Sequence, residues 1–288
     1  MWNPLVGPFF EDEAMRRALA ATIILSVASA PVGVFLLLRR MSLVGDALSH
    51  AILPGVAVAF LVSGMAAIPM TVGATVAGLA VAVLAGFVTR YAQQREDSSF
   101  AAFYLISLAL GVLIVSAKAG DLELEHVLFG NIMSLTDDSL MVIGVTSTLG
   151  LVGMAVIWRP LVAECLDPQF LRSVSRSGRW AHLTFLVLAV LSLVGAYQAM
   201  GSLLAVGLMM LPAATAQFWA RRLENVILVA AGTGILSSLA GLSIAYRYAL
   251  DPAPSIILVA GALYAASLLL GRRGVLLARL RPARHRTA

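Results

Sequence analysis

The sequence predicts an all-α, polytopic membrane protein whose helices pack into one bundle. Of its 288 residues, 60% are hydrophobic and only 12% are charged, whereas an ordinary soluble domain has about 25% charged residues. Too few charges are present to cover the surface of a soluble fold, so the chain needs the bilayer as its solvent. The apolar runs are long and uninterrupted, which is typical of membrane helices and excludes the alternating pattern of a β-barrel.

Nine apolar segments approach or reach the length of about 20 residues that a helix needs to cross a bilayer. They are 18–38, 45–65, 69–89, 100–117, 139–158, 181–199, 202–218, 225–246 and 254–271. The seventh is short, and only Met200 and Gly201 separate it from the sixth. The sequence therefore predicts eight or nine transmembrane segments and leaves open whether 202–218 crosses fully.

The distribution of basic residues predicts an outside N-terminus and an inside C-terminus. With nine crossings, sixteen of the twenty Lys and Arg residues fall in inside loops or in the tail, as the positive-inside rule requires. Residues 1–17 are then extracytoplasmic, 18–271 form the transmembrane domain, and 272–288 form a basic cytoplasmic tail. The rule also explains the net charge of +5 without a nucleic acid partner. An even number of crossings would remove this bias.

One acidic residue, Asp46, lies within an apolar segment, and His50 follows it four positions later. A charge at the bilayer centre costs about 2.5–3.5 kcal/mol on insertion scales, so its presence there suggests a function. Positions i and i+4 share one face of a helix, and a carboxylate with an imidazole suits zinc or manganese. In the competing interpretation Asp46 caps the helix and His50 bonds a neighbouring carbonyl. The spacing alone favours neither.

Three stretches resemble one family of membrane proteins. Residues 41–57, MSLVGDALSHAILPGVA, resemble the signature of the permeases of ABC importers that carry zinc, manganese or iron. Residues 201–216, GSLLAVGLMMLPAATA, and 128–132, LFGNI, are similar to the same family. The likeness extends over residues 15–271 and implies the fold of type II, cobalamin-type permeases without their first helix.

The resemblance also implies a function and a set of partners. Asp46 and His50 would lie on the path of the transported divalent metal, between two copies of the chain in a homodimer. Two cytoplasmic ABC ATPase subunits would bind the ATP, and an extracytoplasmic metal-binding protein would deliver the ion. The chain has no Gly-x-x-x-x-Gly-Lys-Ser/Thr motif of its own, so we expect a permease subunit of the cell membrane, surrounded by lipid, and no enzyme.

Two groups of residues are candidates for contact with these partners. The resemblance assigns ATPase coupling to a short helix within about 212–224, with contributions from Pro212, Arg221, Arg222 and Glu224; a plain basic loop is the alternative. Outside, basic residues could pair with carboxylates of the binding protein, or could simply reach for the headgroups. These outside residues are Arg16, Arg17 and Arg247.

Other functions stay open at this point. A secondary transporter driven by an ion gradient would also place ionisable groups at the midplane, and a membrane protein without transport would use the Asp/His pair structurally. The sequence does not name the metal, locate the gate, or assign a role to His126 or to the basic tail.

Overall fold

Every regular element in the described part of the chain is helical, which confirms the all-α class. The computed structural model describes residues 9, 12–64, 66–91, 96–118, 132–166, 177–271 and 273. His126 and all of the basic tail except Arg273 lie outside the described residues, as does most of the LFGNI motif.

Nine α-helices and one 3₁₀ turn follow one another along the described residues. The helices are α1 (Glu13–Leu38), α2 (Ser42–Ala51), α3 (Leu53–Ser63), α4 (Ala67–Tyr91), α5 (Glu96–Lys118), α6 (Asp137–Leu166), α7 (Ser177–Ala216), α8 (Leu223–Tyr248) and α9 (Pro252–Leu270), and the turn is Ile132–Ser134. Eight spans are long and apolar enough to cross a membrane, with α2 and α3 counting as one. Met200–Ala216, within α7, is a shorter apolar helix. All nine predicted segments are therefore helical.

Two ion pairs show that α1 and α6 run in the same direction. Near the start of both helices, Arg17 lies 3.1 Å from Asp137. Near their ends, Arg39 lies 2.9 Å from Glu164. We call the two sides of the bundle the Arg17 face and the Arg39 face.

Helix α7 first runs antiparallel to α6, towards the Arg17 face. Leu188 packs against Gly153, and Gly195, farther along α7, packs against Thr146 near the start of α6. The helix then breaks at Gly201, whose φ of 76° and ψ of 171° are not helical. A β-carbon disfavours this backbone conformation, so glycine at this position allows the chain to reverse.

The second half of α7 returns to the Arg39 face. Its last residue, Ala216, shares an apolar cluster with Val34, close to the end of α1. The end of α9 reaches the same place, because Trp219 Nε1 donates a hydrogen bond to Ser267 Oγ at 2.8 Å. Helix α1 thus begins on one face and α9 ends on the opposite one. This arrangement meets the condition of an odd number of crossings on which the orientation prediction depends.

Small residues allow close contact between helices in lipid. Gly33 of α1 lies directly against the backbone carbonyl of Met209 in α7. Gly55 and Gly73 bring α3 and α4 equally close, each facing the carbonyl oxygen of the other. The bundle is compact because these positions carry no side chain.

The Arg39–Glu164 pair is the first basis for a mutational prediction. The two side chains are only 11% and 13% exposed, and the Arg39 guanidinium also lies 5.3 Å from the centre of the Phe185 ring. Arg39→Met should lower the free energy of unfolding by about 3 kcal/mol, because removing one partner of a buried pair leaves the other desolvated without its counter-charge. Thermal unfolding in detergent measures the loss. Arg159→Met, at an exposed position of α6, is the control and should change stability by less than about 0.5 kcal/mol.

Candidate metal site

The turn that precedes α2 is fixed by backbone hydrogen bonds. Met41 N–H donates to Leu36 O at 2.9 Å, and Arg40 N–H donates to Leu37 O at 3.1 Å. These two bonds form a Schellman motif, with Arg40 at the position where a left-handed residue is needed. Its φ of 59° meets that need. Helix α2 therefore starts at a defined place and direction.

Asp46 does not cap this helix. Helix α2 begins at Ser42, and its N-cap residue is Met41, whose side chain makes no capping hydrogen bond. Asp46 is the fifth residue of α2, beyond the first turn whose N–H groups need a cap. The structure thus contradicts the capping interpretation.

Asp46 and His50 lie together on one face of α2, as their spacing predicts. Asp46 Oδ1 and His50 Nε2 are 3.7 Å apart. Two donor atoms at this separation can each lie about 2.1 Å from a single ion, a usual length for zinc ligands, with an angle of about 120° between them. The pair is therefore compatible with one shared divalent ion.

His50 is held by packing. Its Nδ1 is buried and has no hydrogen-bond partner among the described residues, so a bond to a neighbouring carbonyl, the second part of the competing interpretation, is absent there. The ring instead packs at an angle of 33° against Tyr104 of α5, with the ring centroids 6.0 Å apart. A histidine that binds a metal usually has its second nitrogen hydrogen-bonded. Here the Tyr104 ring contributes to the orientation.

Asp46 faces away from the core of the single chain. Its side chain is 59% exposed and that of His50 is 26% exposed, although both lie on a segment that is long and apolar enough to cross the membrane. An ionised carboxylate facing lipid would be costly, so such groups face a bundle interior, a water-filled cavity or a partner. The exposed side of Asp46 and His50 therefore requires polar surroundings that the single chain does not itself provide.

The backbone hydrogen bonding of this span is interrupted immediately after the pair. Residue Ile52 separates α2 from α3, and Pro54 stands at the start of α3. A proline lacks the N–H that would bond the carbonyl four residues earlier and clashes with it, and here that carbonyl belongs to His50. Ile52 keeps right-handed helical angles, with φ of −78° and ψ of −17°, so residues 42–63 form one span in which the His50 carbonyl receives no hydrogen bond from residue 54.

The residues predicted to meet the ATPase divide into two groups. Arg221, Arg222 and Glu224 are exposed at the Arg39 face, where α8 begins. Pro212 is buried within α7, and a β-carbon on Gly234 would lie 3.6 Å from its ring. Residues 217–222 form a turn and contain no separate short helix. The structure therefore limits the exposed part of the predicted coupling region to this turn and the start of α8.

The residues predicted to meet the binding protein also differ among themselves. Arg16 and Arg247 are exposed. Arg17 lies 2.8 Å from Glu13, and it also pairs with Asp137 and donates a hydrogen bond to Leu135 O at 3.3 Å. Arg17 thus joins α1 to the segment before α6, a structural role that the sequence alone did not suggest.

Two neighbours of the pair were missed in the sequence. Tyr104 gave no signal, because its contact with His50 joins separate helices. Gly45 is more readily found, since a glycine beside Asp46 suggests close packing. A β-carbon there would lie 2.8 and 2.7 Å from the methyl carbons of Met209 and Met210. Both methionines therefore pack against the backbone of α2 at this position.

A bundle of membrane-spanning helices with a carboxylate–imidazole pair on one of the spans is the architecture of a multi-pass membrane transport protein. The chain belongs to the ABC 3 transport family, whose model matches residues 11–271. This match confirms the resemblance that the sequence motifs indicated.

Curated relatives and solved structures agree with this assignment. The chain is 31% identical over 278 residues to a manganese transport system membrane protein MntC of Halalkalibacterium halodurans, covering 93% of each chain. It is 34% identical to the manganese import system permease protein ScaB of Streptococcus parasanguinis, over 88% of this chain and 89% of the relative. The solved structure of PsaBC from Streptococcus pneumoniae in complex with Fab matches with a TM-score of 0.82 and 27% identity, over 96% of this chain and 99% of the other.

Proposed function

We propose that this chain is the membrane-spanning permease of an ATP-driven importer of divalent metal ions. The observation that carries the proposal is the Asp46–His50 pair, whose oxygen and nitrogen lie 3.7 Å apart on a transmembrane segment. Relatives named for manganese and iron transport support manganese and iron(II) as cargo. Zinc, which the same donor atoms also accommodate, is a further candidate.

The permease acts as a homodimer, with the ion path between the two copies. The support is the exposure of the pair: an Asp46 side chain that is 59% exposed in a single chain is best covered by a second copy. Two copies then supply two carboxylates and two imidazoles, which is enough for a complete four-ligand site. Each copy alone offers two ligands, an arrangement suited to an ion that must be released.

ATP hydrolysis is supplied by a partner ATPase dimer at the Arg39 face. Arg221, Arg222 and Glu224 offer it an exposed, charged surface there. The turn at residues 217–222 is joined to α9 by the Trp219–Ser267 hydrogen bond. A displacement of this turn by the ATPase therefore moves α9 and the second half of α7 together. Because that half of α7 packs on Gly45 beside Asp46, movement of the turn can change the geometry of the pair.

Uptake into vesicles tests the function. The permease is reconstituted with its ATPase into liposomes that contain ATP, and the metal-loaded binding protein is added outside. Only molecules in the importing orientation are then active. We expect manganese uptake to require ATP and the ATPase, and to continue when a proton ionophore collapses the proton gradient. Loss of uptake with the ionophore, or uptake without ATP, would instead favour a gradient-driven secondary transporter.

Docking of the binding protein is assigned to the Arg17 face, where α8 ends and Arg247 is exposed. Arg247→Glu should weaken association with the binding protein about tenfold or more, because it places like charges opposite each other. Arg221→Glu, on the other face, should weaken association with the ATPase and leave binding-protein affinity unchanged. Affinity measurements with both partners for both variants check this. Equal binding-protein affinity for Arg247→Glu and the unmodified permease would exclude this docking surface.

A further inference from the structure

One edge of α5 faces the α2–α3 segment along its length. Tyr104 packs against the His50 ring. Farther along α5, a β-carbon on Gly111 would lie 3.1 Å from both Leu53 Cβ and Pro54 N. The contacts pair the earlier residue of one segment with the earlier residue of the other, and the later with the later. The α2–α3 segment and α5 therefore run in parallel. Moving back along α5 from Tyr104 therefore leads towards the Arg39 face, where α2 begins.

Asp97 lies on this same edge. It is seven residues before Tyr104, as Tyr104 is seven before Gly111. Positions seven apart in a helix differ by only about 20° around the axis and by about 10 Å along it. Asp97 is therefore placed two turns from the His50 level, on the side of the Arg39 face.

One oxygen of the Asp97 carboxylate is buried. Asp97 is partly buried, and its Oδ1 is buried with no hydrogen-bond partner among the described residues. A buried carboxylate oxygen without a donor carries a large desolvation cost, which a bound cation would offset. No other acidic residue in the described parts of α2 to α5 shares an edge with the contacts of the pair, since Glu96 is one residue, and thus about 100°, away.

We propose that Asp97 is a further cation-binding residue, which receives the divalent ion after Asp46 and His50 on its way to the Arg39 face. This inference rests on the proposed function of the pair. An ion that leaves the two donors towards the Arg39 face has to move away from their charge, and a carboxylate about 10 Å farther along lowers the barrier there. Asp97 thus acts on the rate of passage, whereas the pair sets the binding of the ion.

Manganese uptake by the reconstituted transporter tests the assignment. Asp97→Asn should lower the maximal uptake rate about tenfold, the effect of losing one favourable carboxylate–cation contact, and leave Mn²⁺ binding at the pair unchanged by electron paramagnetic resonance. Glu96→Gln is the matched control, because it removes a charge from the same first turn of α5, and its rate should be normal. A normal rate for Asp97→Asn, or an equal loss for Glu96→Gln, would overturn the proposal.

A second measurement uses the unmodified protein and so does not depend on the folding of a variant. Dicyclohexylcarbodiimide labels carboxyl groups within membranes, and peptide mass spectrometry locates the labelled residues. We expect Mn²⁺ to slow the labelling of both Asp46 and Asp97. Slowing at Asp46 alone would reject the role of Asp97 and leave the proposed function intact. Slowing at neither residue, together with normal uptake by His50→Ala, would reject the site at the pair as well.

Discussion

His50→Ala is expected to reduce ATP-dependent manganese uptake by about a hundredfold or more, while the permease still assembles with its ATPase. Loss of a residue that merely supports a metal ligand costs 10–100-fold in affinity or activity, and loss of a ligand should cost no less. His50 is one of the two donors that the proposed site takes from each copy, and its Nε2 lies 3.7 Å from Asp46 Oδ1. Asp46→Asn should have the same effect, because the amide keeps the shape of the carboxylate and removes its charge.

The controls separate this loss from misfolding. His182→Ala and Asp138→Asn change the same residue types elsewhere in the described helices, away from the pair, and should transport normally. Copurification of the ATPase and the thermal unfolding midpoint in detergent report on assembly. Near-normal uptake by both His50→Ala and Asp46→Asn would reject the proposed site and leave the family assignment untouched.

The helices and the pair could be predicted because each depends on local sequence. The length of the apolar runs determines which segments cross, and the spacing of four residues determines that Asp46 and His50 share a face. The structure confirms that these segments are helical and that the two side chains share a face. Neither prediction required knowledge of which helices are neighbours.

The interruption of the hydrogen bonding between α2 and α3, after His50, could not be predicted from local sequence. Pro54 lies inside the apolar segment 45–65. Pro31 and Pro160 lie inside helices that continue without interruption, so a proline alone does not predict an interruption. In a membrane protein, neighbouring helices can satisfy the backbone groups that a proline leaves free. Whether a proline bends, breaks or merely occupies a helix therefore depends on its tertiary surroundings.

Contacts between residues far apart in the sequence could not be predicted either. The sequence assigned Arg17 to a partner protein, but its guanidinium meets Asp137, 120 residues farther along. Pro212 was assigned to the coupling surface by the family resemblance, whereas helix α7 continues to Ala216 and buries this residue.

Gly33→Ala is expected to destabilise the bundle by about 3 kcal/mol, at the upper end of the usual cost of overpacking. The added methyl group would collide with the backbone carbonyl oxygen of Met209 and lie 3.2 Å from its Cγ. A backbone atom cannot turn aside as a side chain can, so α1 and the second half of α7 must separate. Size-exclusion chromatography and thermal unfolding in detergent measure the loss.

Gly232→Ala provides the matched comparison, because a β-carbon there would have no neighbour within 4 Å. Alanine favours a helix over glycine by about 1 kcal/mol, so this variant should be as stable as the unmodified chain or slightly more so. Met209 also contacts Gly45 beside Asp46. Separation at Gly33 should therefore weaken Mn²⁺ binding as well as stability. Equal stability of Gly33→Ala and Gly232→Ala would show that α1 and α7 are not held together at this contact.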